Sequence, residues 1–254
     1  MSSLSHFAFI TSPSSVTLPS LTFFMATRGK LIAVEGIDGS GKQTQVRLLS
    51  QALESRGHGV LSTGFPQYNS WFGKMVGQFL NGDFGPHHDP HFTALLYAGD
   101  RFESKGPMIA ALEQGQIVIT DRYVGSNLAH QTARSSPEMR EEFCAWIEHL
   151  EYGIYGLPKE DLVLYLRVPP IQAQSLVAKK SARTYTDSAH DILESDLHHL
   201  QAAADIYDQL ARRPNWKTIA CYDARSGSIR APEDIAQEVL TAVQPLLPAL
   251  QERR

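Results

Sequence analysis

The feature that most constrains the fold is a glycine-rich loop placed between a strand-like run and a helix-like segment. The run Leu31–Val34 contains only apolar residues, which is typical of a short strand buried on both faces of a parallel sheet. The loop Gly36–Lys42 reads GIDGSGK, and Val46, Leu49 and Leu53 then share one face of a helix. This order of strand, loop and helix predicts a phosphate-binding loop.

The physics of such a loop is direct. Its successive backbone N–H groups form a concave nest, the following helix adds partial positive charge, and glycines let the chain approach a phosphate closely. A glycine-rich turn without a ligand is the alternative, but it leaves the lysine at the mouth of the helix unexplained. We therefore predict that the phosphates of a ligand contact Gly36, Ile37, Asp38, Gly39, Ser40, Gly41, Lys42, Gln43 and Thr44.

The last position of the loop departs from the strict pattern, in which Ser or Thr follows the lysine and helps to hold magnesium. Gln43 occupies that position, and Thr44 comes one residue later. Two alternatives stay open. Gln43 can offer its carboxamide oxygen to the metal or to a metal-bound water, or Asp38 and Asp121 can hold the metal. Asp121 follows the apolar run Ile117–Thr120, which places it at the carboxyl edge of the sheet unless it caps a helix instead.

Strand-like and helix-like segments alternate along the rest of the chain. Further strands are expected at Val60–Thr63, Leu162–Leu166 and Thr218–Cys221. Helices are expected over Trp71–Leu80, His91–Leu112, Gly125–Arg134, Pro137–Glu151 and Pro232–Val243. This alternation predicts a single three-layer α/β domain over residues 28–250, with a parallel sheet covered by helices on both faces.

The first 24 residues carry no Lys, Arg, Asp or Glu and are rich in Ser, Thr, Pro and Phe. Pro13 and scattered serines interrupt the apolar stretch that a secretory signal needs, and a transit peptide would normally carry arginine. We expect residues 1–27 to be a disordered extension, or translation to begin at Met25. No apolar run is long enough to span a membrane.

Charge and cysteine usage narrow the class of partner. The formal net charge of −4 argues against a general binder of nucleic acid or of anionic membranes. Cys144 and Cys221 lie far apart, which argues against a disulfide framework or a cysteine zinc site. A reducing cytoplasm is therefore the expected location.

Three further clusters narrow the function. They are Phe65–Tyr68 (FPQY), Tyr97–Arg101 (YAGDR) and Asp121–Asn127 (DRYVGSN). Together with Val34–Lys42 they resemble thymidylate kinases, in the expected order and over nearly the whole chain after residue 30. The resemblance implies a P-loop kinase with a mobile lid that uses ATP and Mg²⁺ to phosphorylate dTMP to dTDP in dTTP synthesis. It also implies a homodimer.

The resemblance assigns roles on the acceptor side. Tyr97 would stack on the thymine ring, and Arg101 would contact the base and the acceptor phosphate. Arg122 would hold the acceptor phosphate, while Asn127 and His130 would face the base and its surroundings. These roles suit the chemistry, because an aromatic face fits a base and a planar guanidinium fork fits a phosphate. The resemblance completes the substrate site with Phe65, Pro66, Tyr68, Ser126 and Glu194.

Catalysis requires positive charge where the phosphoryl group is transferred. Thymidylate kinases place a catalytic arginine either in the phosphate loop or in the lid, and the loop here reads Gly39-Ser40 instead. We therefore expect the charge to come from the polar stretch at about residues 179–192, and we favour Arg183 over its lysine neighbours. A solvated basic patch is the alternative. The expected catalytic residues are Lys42, Asp38, Arg122 and Arg183.

Two other functions stay open. One is another P-loop small-molecule kinase, such as a deoxynucleoside kinase, and the other is a nucleotide-binding regulatory ATPase. Arg101 and Arg122 favour a phosphorylated acceptor, because an acceptor without a phosphate has less need of both. The pair His198-His199 lies in a helical, leucine-containing stretch and is expected at the surface.

Overall fold

A computed structural model describes residues 28–85, 88–177 and 197–247. The expected N-terminal extension at residues 1–27 lies outside these ranges. So does the expected lid at about residues 179–192, together with Arg183 and Glu194.

The centre of the fold is a parallel five-stranded sheet in the order β2-β3-β1-β4-β5. Its strands are β1 (Leu31–Glu35), β2 (Val60–Gly64), β3 (Ile117–Asp121), β4 (Leu162–Arg167) and β5 (Trp216–Ala220). The five predicted strands are confirmed, with ends that differ by one or two residues. The order reverses beside β1, which pairs with β3 on one side and β4 on the other, so the crevice for a ligand opens at the carboxyl end of β1.

Helices flank the sheet, as the alternating pattern predicts. They are α1 (Lys42–Glu54), α2 (Trp71–Leu80), α3 (Pro90–Glu103), α4 (Lys105–Glu113), α5 (Val124–Thr132), α6 (Arg140–Glu148), α7 (Pro170–Val177), α8 (Leu197–Leu210) and α9 (Pro232–Val243). Val46, Leu49 and Leu53 of α1 are buried in the main core, as their spacing indicates. The α1 helix packs against α9, and α5 packs against both α6 and α8.

The long helix expected over His91–Leu112 is two helices that meet at Ser104. Pro107 lies in the first turn of α4, where a missing N–H removes no intrahelical hydrogen bond. The proline therefore lies at the beginning of a helix, and the prediction of one helix over His91–Leu112 was wrong.

The helix expected over Pro137–Glu151 is also divided. A 3₁₀ turn at Pro137–Met139 leads into α6, which continues into a π-helical turn at His149–Ile154. Wide turns of this kind are frequent at functional sites. Here the turn contains Glu151, whose side chain is fully buried.

A two-stranded hairpin follows the main sheet and was not predicted. It pairs β6 (Tyr222–Asp223) with β7 (Ser228–Ile229), strands too short to show an alternating pattern. In the ranges that the structure describes, no helix combines the length and the apolar character needed to cross a membrane.

Candidate active site

The loop after β1 has a backbone that glycine alone accommodates well. Gly36 has φ 145° and Gly39 has φ 83°, values that side chains rarely allow. A Cβ atom on Gly36 would lie 2.7 Å from the carbonyl oxygen of Leu166, and one on Gly39 would lie 2.2 Å from that of Ala173 in α7. The glycines are therefore required by conformation and by space.

Lys42 begins α1 and turns its side chain back over the loop. Its Nζ donates to the carbonyl oxygens of Gly36 and Ile37, each at 2.9 Å. Burial, and then repulsion from Arg122, lowers the pKa of Lys42 to about 8. The ammonium group is thus held at the loop and poorly solvated, which favours its interaction with a bound phosphate.

The lowered pKa of Lys42 predicts that ATP binding weakens in alkaline solution. Bound phosphates favour the charged ammonium, whereas the free protein loses that charge as the pH rises through about 8. The affinity should therefore hold steady up to about pH 7.5 and fall by up to about tenfold per pH unit well above 8. Calorimetric titration of ATP at pH 7.5, 8.5 and 9.5, in buffers of different ionisation enthalpy, measures both the affinity and the proton uptake.

The matched control for this titration is Lys42→Arg, whose guanidinium does not lose its proton in this range. Its affinity for ATP should be independent of pH between 7.5 and 9.5. A wild-type affinity that stays constant over the same range would show that the charge of Lys42 does not contribute to ATP binding.

Arg122 lies between the loop and α5. It has φ 67°, a strained conformation for a residue with a side chain, of the kind that concentrates at functional sites. Its Nη2 donates to Asp38 of the loop, and its Nη1 donates to Ser126 Oγ at 3.1 Å and lies 3.4 Å from His130 Nε2. Burial lowers the pKa of Arg122 and Asp38 raises it, with a net shift well above its usual value. The structure therefore brings three predicted site residues together around a permanently charged guanidinium.

Glu35, at the end of β1, joins the loop to two helices and was missed in the sequence. Its Oε1 accepts from the backbone N–H groups of Tyr123 at 2.7 Å and Ser126 at 3.0 Å. Its Oε2 accepts from the hydroxyl groups of Ser126 at 2.6 Å and Tyr207 of α8 at 2.9 Å. This carboxylate thus contacts the start of α5. The N-cap residue of α5 is Tyr123, whose side chain forms no capping hydrogen bond, so the alternative that Asp121 caps the helix was wrong. A carboxylate directly before the loop, at the end of an apolar strand, was the available signal.

The candidate metal ligands differ in their surroundings. The carboxylate of Asp38 is engaged by Arg122, whereas Asp121 lies at the edge of the sheet, where its charge raises the pKa of both Lys42 and Arg122. Gln43 is exposed in the first turn of α1. Mg²⁺ in kinases is held by one or two carboxylates together with substrate phosphates and waters, so this donor set fits the ion. Within the described ranges, no group of three or more His, Cys, Asp or Glu residues could hold a metal.

The expected wall of the substrate pocket is tied to α3. The backbone N–H of Gln67 donates to both carboxylate oxygens of Asp100, at 3.1 and 3.0 Å, and Ser70 Oγ donates to the same carboxylate at 3.0 Å. The segment begins with Phe65, which is buried and joined to Pro66 by a cis peptide bond. Asp100 therefore fixes this segment to the helix that carries Tyr97 and Arg101.

Tyr68 and Tyr97 belong to a second apolar cluster between α2 and α3. Both are half-buried and pack against a buried group formed by Val76, Phe79, Leu80 and Leu96. The structure thus places the two expected aromatic contacts of the substrate against the same apolar cluster, each with part of its surface open.

Arg101 is only 1% exposed, so its guanidinium lies inside the protein and not on the surface of α3. Its Nε and Nη2 donate to the carboxylate of Glu151 at 2.5 and 2.6 Å. Asn127, which is 2% exposed, donates from Nδ2 to the same carboxylate at 2.8 Å and to the carbonyl oxygen of Ala94 at 3.1 Å. One edge of the Arg101 guanidinium is therefore committed to Glu151, and the predicted contact with a ligand is left to Nη1.

His130 contacts a second histidine that sequence reasoning placed at the surface. His199 of α8 is buried, and its Nε2 lies 3.3 Å from His130 Nδ1. Because Arg122 can only donate, His130 Nε2 must accept, and His130 Nδ1–H donates to His199. Burial, and then the charge of Arg122, hold the pKa of His130 well below its usual value. The spacing of His199, Ala203 and Tyr207 along one helical face could have revealed this burial.

The fold and the site together define a class of protein. A parallel sheet with a phosphate-binding loop after β1, and an arginine facing that loop after β3, is the arrangement of a P-loop nucleoside monophosphate kinase. The sequence model of the family Thymidylate kinase matches residues 34–225. The chain belongs to the thymidylate kinase family.

Individual relatives agree with this assignment. The thymidylate kinase of Mycobacterium tuberculosis is 32% identical over 185 residues, which cover 71% of this chain and 85% of that protein. The thymidylate kinase of Homo sapiens is 30% identical over 212 residues, covering 83% and 89%. The solved structure of thymidylate kinase from Candida albicans shares the fold, with a TM-score of 0.68 at 21% identity over 86% of this chain and 92% of that one.

Proposed function

We propose that the chain transfers the γ-phosphoryl group of ATP to dTMP, giving ADP and dTDP for dTTP synthesis. The observation that carries this proposal is the position of Arg122. Asp38 of the phosphate-binding loop and Ser126 of α5 hold its guanidinium between the loop and that helix. A kinase whose acceptor is itself a phosphate must bring two anions together, and a fixed guanidinium at their meeting point offsets the repulsion.

The residues of the chain act mainly by positioning. The loop N–H groups and Lys42 bind the β- and γ-phosphates, and Arg122 holds the acceptor phosphate in line with them. An ionised oxygen of dTMP then forms a bond to the γ-phosphorus while the bond to the β–γ bridging oxygen breaks and ADP leaves. The attacking oxygen carries no proton at neutral pH, so the step requires no general base.

Magnesium is part of the proposal, and Asp121, Gln43 and Asp38 are the residues that would hold it. When bound, the ion neutralises charge that develops on the β- and γ-phosphate oxygens. Asp121 is the better ligand of the two carboxylates, since Asp38 is held by Arg122. A ligand set of this size leaves the remaining coordination to phosphate and water.

The unusual Gln43 yields a prediction about this metal. Replacing Gln43 with Thr supplies the hydroxyl of the strict loop pattern and should lower the magnesium concentration needed for half-maximal activity by about tenfold, the scale of outer-shell effects. A magnesium titration of the steady-state rate measures it. Gln51→Thr, at an exposed position of the same helix, is the matched control. A titration curve unchanged by Gln43→Thr would assign the metal to the carboxylates alone.

The proposal also covers the residues that the structure does not describe. Arg183, in a lid at about residues 179–192, would supply the positive charge that the loop lacks, and Glu194 would contact the sugar or the metal. Arg183→Ala should lower kcat more than Lys180→Ala does. Equal effects of the two variants would remove Arg183 from the catalytic residues.

A homodimer in the cytoplasm completes the proposal. Trp71 on α2 is 81% exposed, and Phe102 on α3 is 47% exposed, so these helices offer an apolar surface to a second copy. Both cysteines, Cys144 and Cys221, are free thiols within the described chain, which supports a reducing compartment. Sedimentation of the wild type and of Trp71→Glu tests the dimer, and a monomeric wild type would end this part of the proposal.

One steady-state assay separates the candidate functions. ATP turnover is measured with dTMP, dUMP, CMP, AMP, thymidine or no acceptor, and product nucleotides are identified by chromatography. The proposal requires dTDP formation that depends on dTMP. Turnover of thymidine without dTMP would indicate a deoxynucleoside kinase, and ATP hydrolysis that no acceptor accelerates would indicate a regulatory ATPase.

A further inference from the structure

Glu151 is a fully buried carboxylate that the mechanism above does not use. It lies in the π-helical turn after α6 and accepts two hydrogen bonds from Arg101, at 2.5 and 2.6 Å. The same carboxylate accepts from Asn127 Nδ2 at 2.8 Å. One buried anion therefore holds the two side chains that are expected to meet the base.

The contacts of Asn127 fix which way round its amide group lies. Its Nδ2 faces the carbonyl oxygen of Ala94 and a carboxylate oxygen of Glu151, and both of these can only accept. A flipped amide would set oxygen against oxygen at both places, so the orientation is settled by the hydrogen bonds themselves.

The fixed amide leaves an unsatisfied acceptor. Asn127 Oδ1 is buried and has no hydrogen-bond partner within the described part of the chain. Buried polar atoms in proteins are nearly always paired, so this oxygen calls for a donor from outside the described chain, such as a ligand or a water. Toward a ligand, Asn127 Oδ1 can therefore only accept a hydrogen bond, whereas Arg101 Nη1 can only donate one.

Pyrimidine bases differ at the positions where these groups would meet them. Thymine and uracil carry an N–H donor at N3 beside a carbonyl acceptor at C4, whereas cytosine carries an acceptor at N3 beside an amino donor. An acceptor from Asn127 and a donor from Arg101 match the first pattern and oppose the second at both positions. A site built to hydrogen-bond one pattern rejects its inverse strongly, because its buried groups are then left unpaired.

We propose that Glu151 is a positioning residue that sets the pyrimidine selectivity of this kinase by holding Asn127 as an acceptor and Arg101 as a donor toward the base. The inference rests on the proposed function, since it concerns the acceptor nucleotide of the same reaction. It attributes the preference for dTMP over dCMP to a residue that contacts neither nucleotide directly.

The test is Glu151→Gln, assayed with dTMP, dUMP and dCMP. A carboxamide at 151 can present its NH₂ to Asn127 in place of an acceptor, so that only the carbonyl oxygen of Ala94 still opposes a turn of the Asn127 amide that would offer the base a donor. We expect the ratio of kcat/KM for dTMP to that for dCMP to fall by at least about tenfold, mainly through KM, while KM for ATP stays near the wild-type value. A merely structural role would reduce turnover of all three acceptors by the same factor.

Glu160→Gln is the matched control, because Glu160 is a nearby glutamate that is bonded to Tyr152 and has no bond to Asn127. It should leave the dTMP to dCMP ratio unchanged. Absence of any dTMP-dependent turnover in the wild type would defeat the proposed function itself. Wild-type turnover of dTMP with an unaltered ratio in Glu151→Gln would defeat only the role of Glu151.

Glu151→Gln leaves Arg101 without its counter-ion and can fail to fold, so a second comparison is needed. Arg101→Gln and Arg101→Gln/Glu151→Gln isolate the effect on Asn127, and the double variant carries no buried charge at either position. The double variant should show a further loss of selectivity relative to Arg101→Gln. Equal ratios in these two variants would show that Glu151 is only the counter-ion of Arg101, and would overturn the proposal.

Discussion

Replacing Lys42 with alanine is expected to lower kcat/KM for ATP by a factor of about 10²–10³ or more. Loss of a preorganised charge at developing negative charge has effects of this size. The wild-type ammonium is held at the loop by the carbonyl groups of Gly36 and Ile37, each at 2.9 Å, whereas Arg122 Nη1 lies 3.5 Å from the carbonyl oxygen of Gly36. Initial rates at varied ATP, with dTMP saturating, measure the change.

Lys42→Ala should lower the activity without lowering the thermal stability. Burial lowers the pKa of Lys42 to about 8, which means that the folded protein disfavours the charged form that it holds at neutral pH. The alanine variant should therefore unfold at the wild-type temperature or above it. Arg47→Ala, on the exposed side of the same helix, should retain normal activity. Near-normal turnover by Lys42→Ala would contradict the role of the loop.

The second large effect is expected for Arg122→Lys, although the substitution keeps the charge. Arginine joins Asp38, Ser126 and His130 through two nitrogens of one planar fork, and a lysine ammonium cannot span them. We expect kcat/KM for dTMP to fall by about 10²–10³, the scale set by removal of one fixed donor at a transition state. The measurement is a matrix of initial rates over both substrates.

The kinetic constants that change in Arg122→Lys show which of the two substrates Arg122 holds. If Arg122 holds the acceptor phosphate, the loss will fall on kcat and on KM for dTMP, with KM for ATP changed much less. Arg167→Lys is the matched control, because Arg167 ends β4 at the same edge of the sheet and pairs with the exposed Asp208. A change confined to KM for ATP would place Arg122 on the donor side.

Local patterns were sufficient for the framework of this fold. Leu31–Val34 and Ile117–Thr120 are mainly apolar runs too short for buried helices, and both are strands in the structure. The loop motif located the carboxyl edge of the sheet, and with it Lys42 and Asp38. These inferences needed only neighbouring residues, and for that reason they transferred well from sequence to structure.

The residues that were missed act across long stretches of chain. Glu35 meets Tyr207, which lies 172 positions later, and Arg101 meets Glu151 at a separation of 50. No periodicity within a helix reports such a pairing. Glu151 is also placed by a π-helical turn, which an ordinary helical pattern does not foresee. His199 was expected at the surface, whereas in the structure it is buried and its imidazole forms a hydrogen bond with His130.

The close approach of Gly39 to α7 has a consequence for how this enzyme can change over evolutionary time. The backbone of Ala173 fills the volume that any side chain at position 39 would need. A single codon change that put arginine there would meet main chain rather than a movable side chain, so α7 would have to shift as well. A relative with an arginine in the loop therefore differs from a chain like this one in two segments, 134 positions apart, that must change together. A sequence with only one of the two changes would be less stable.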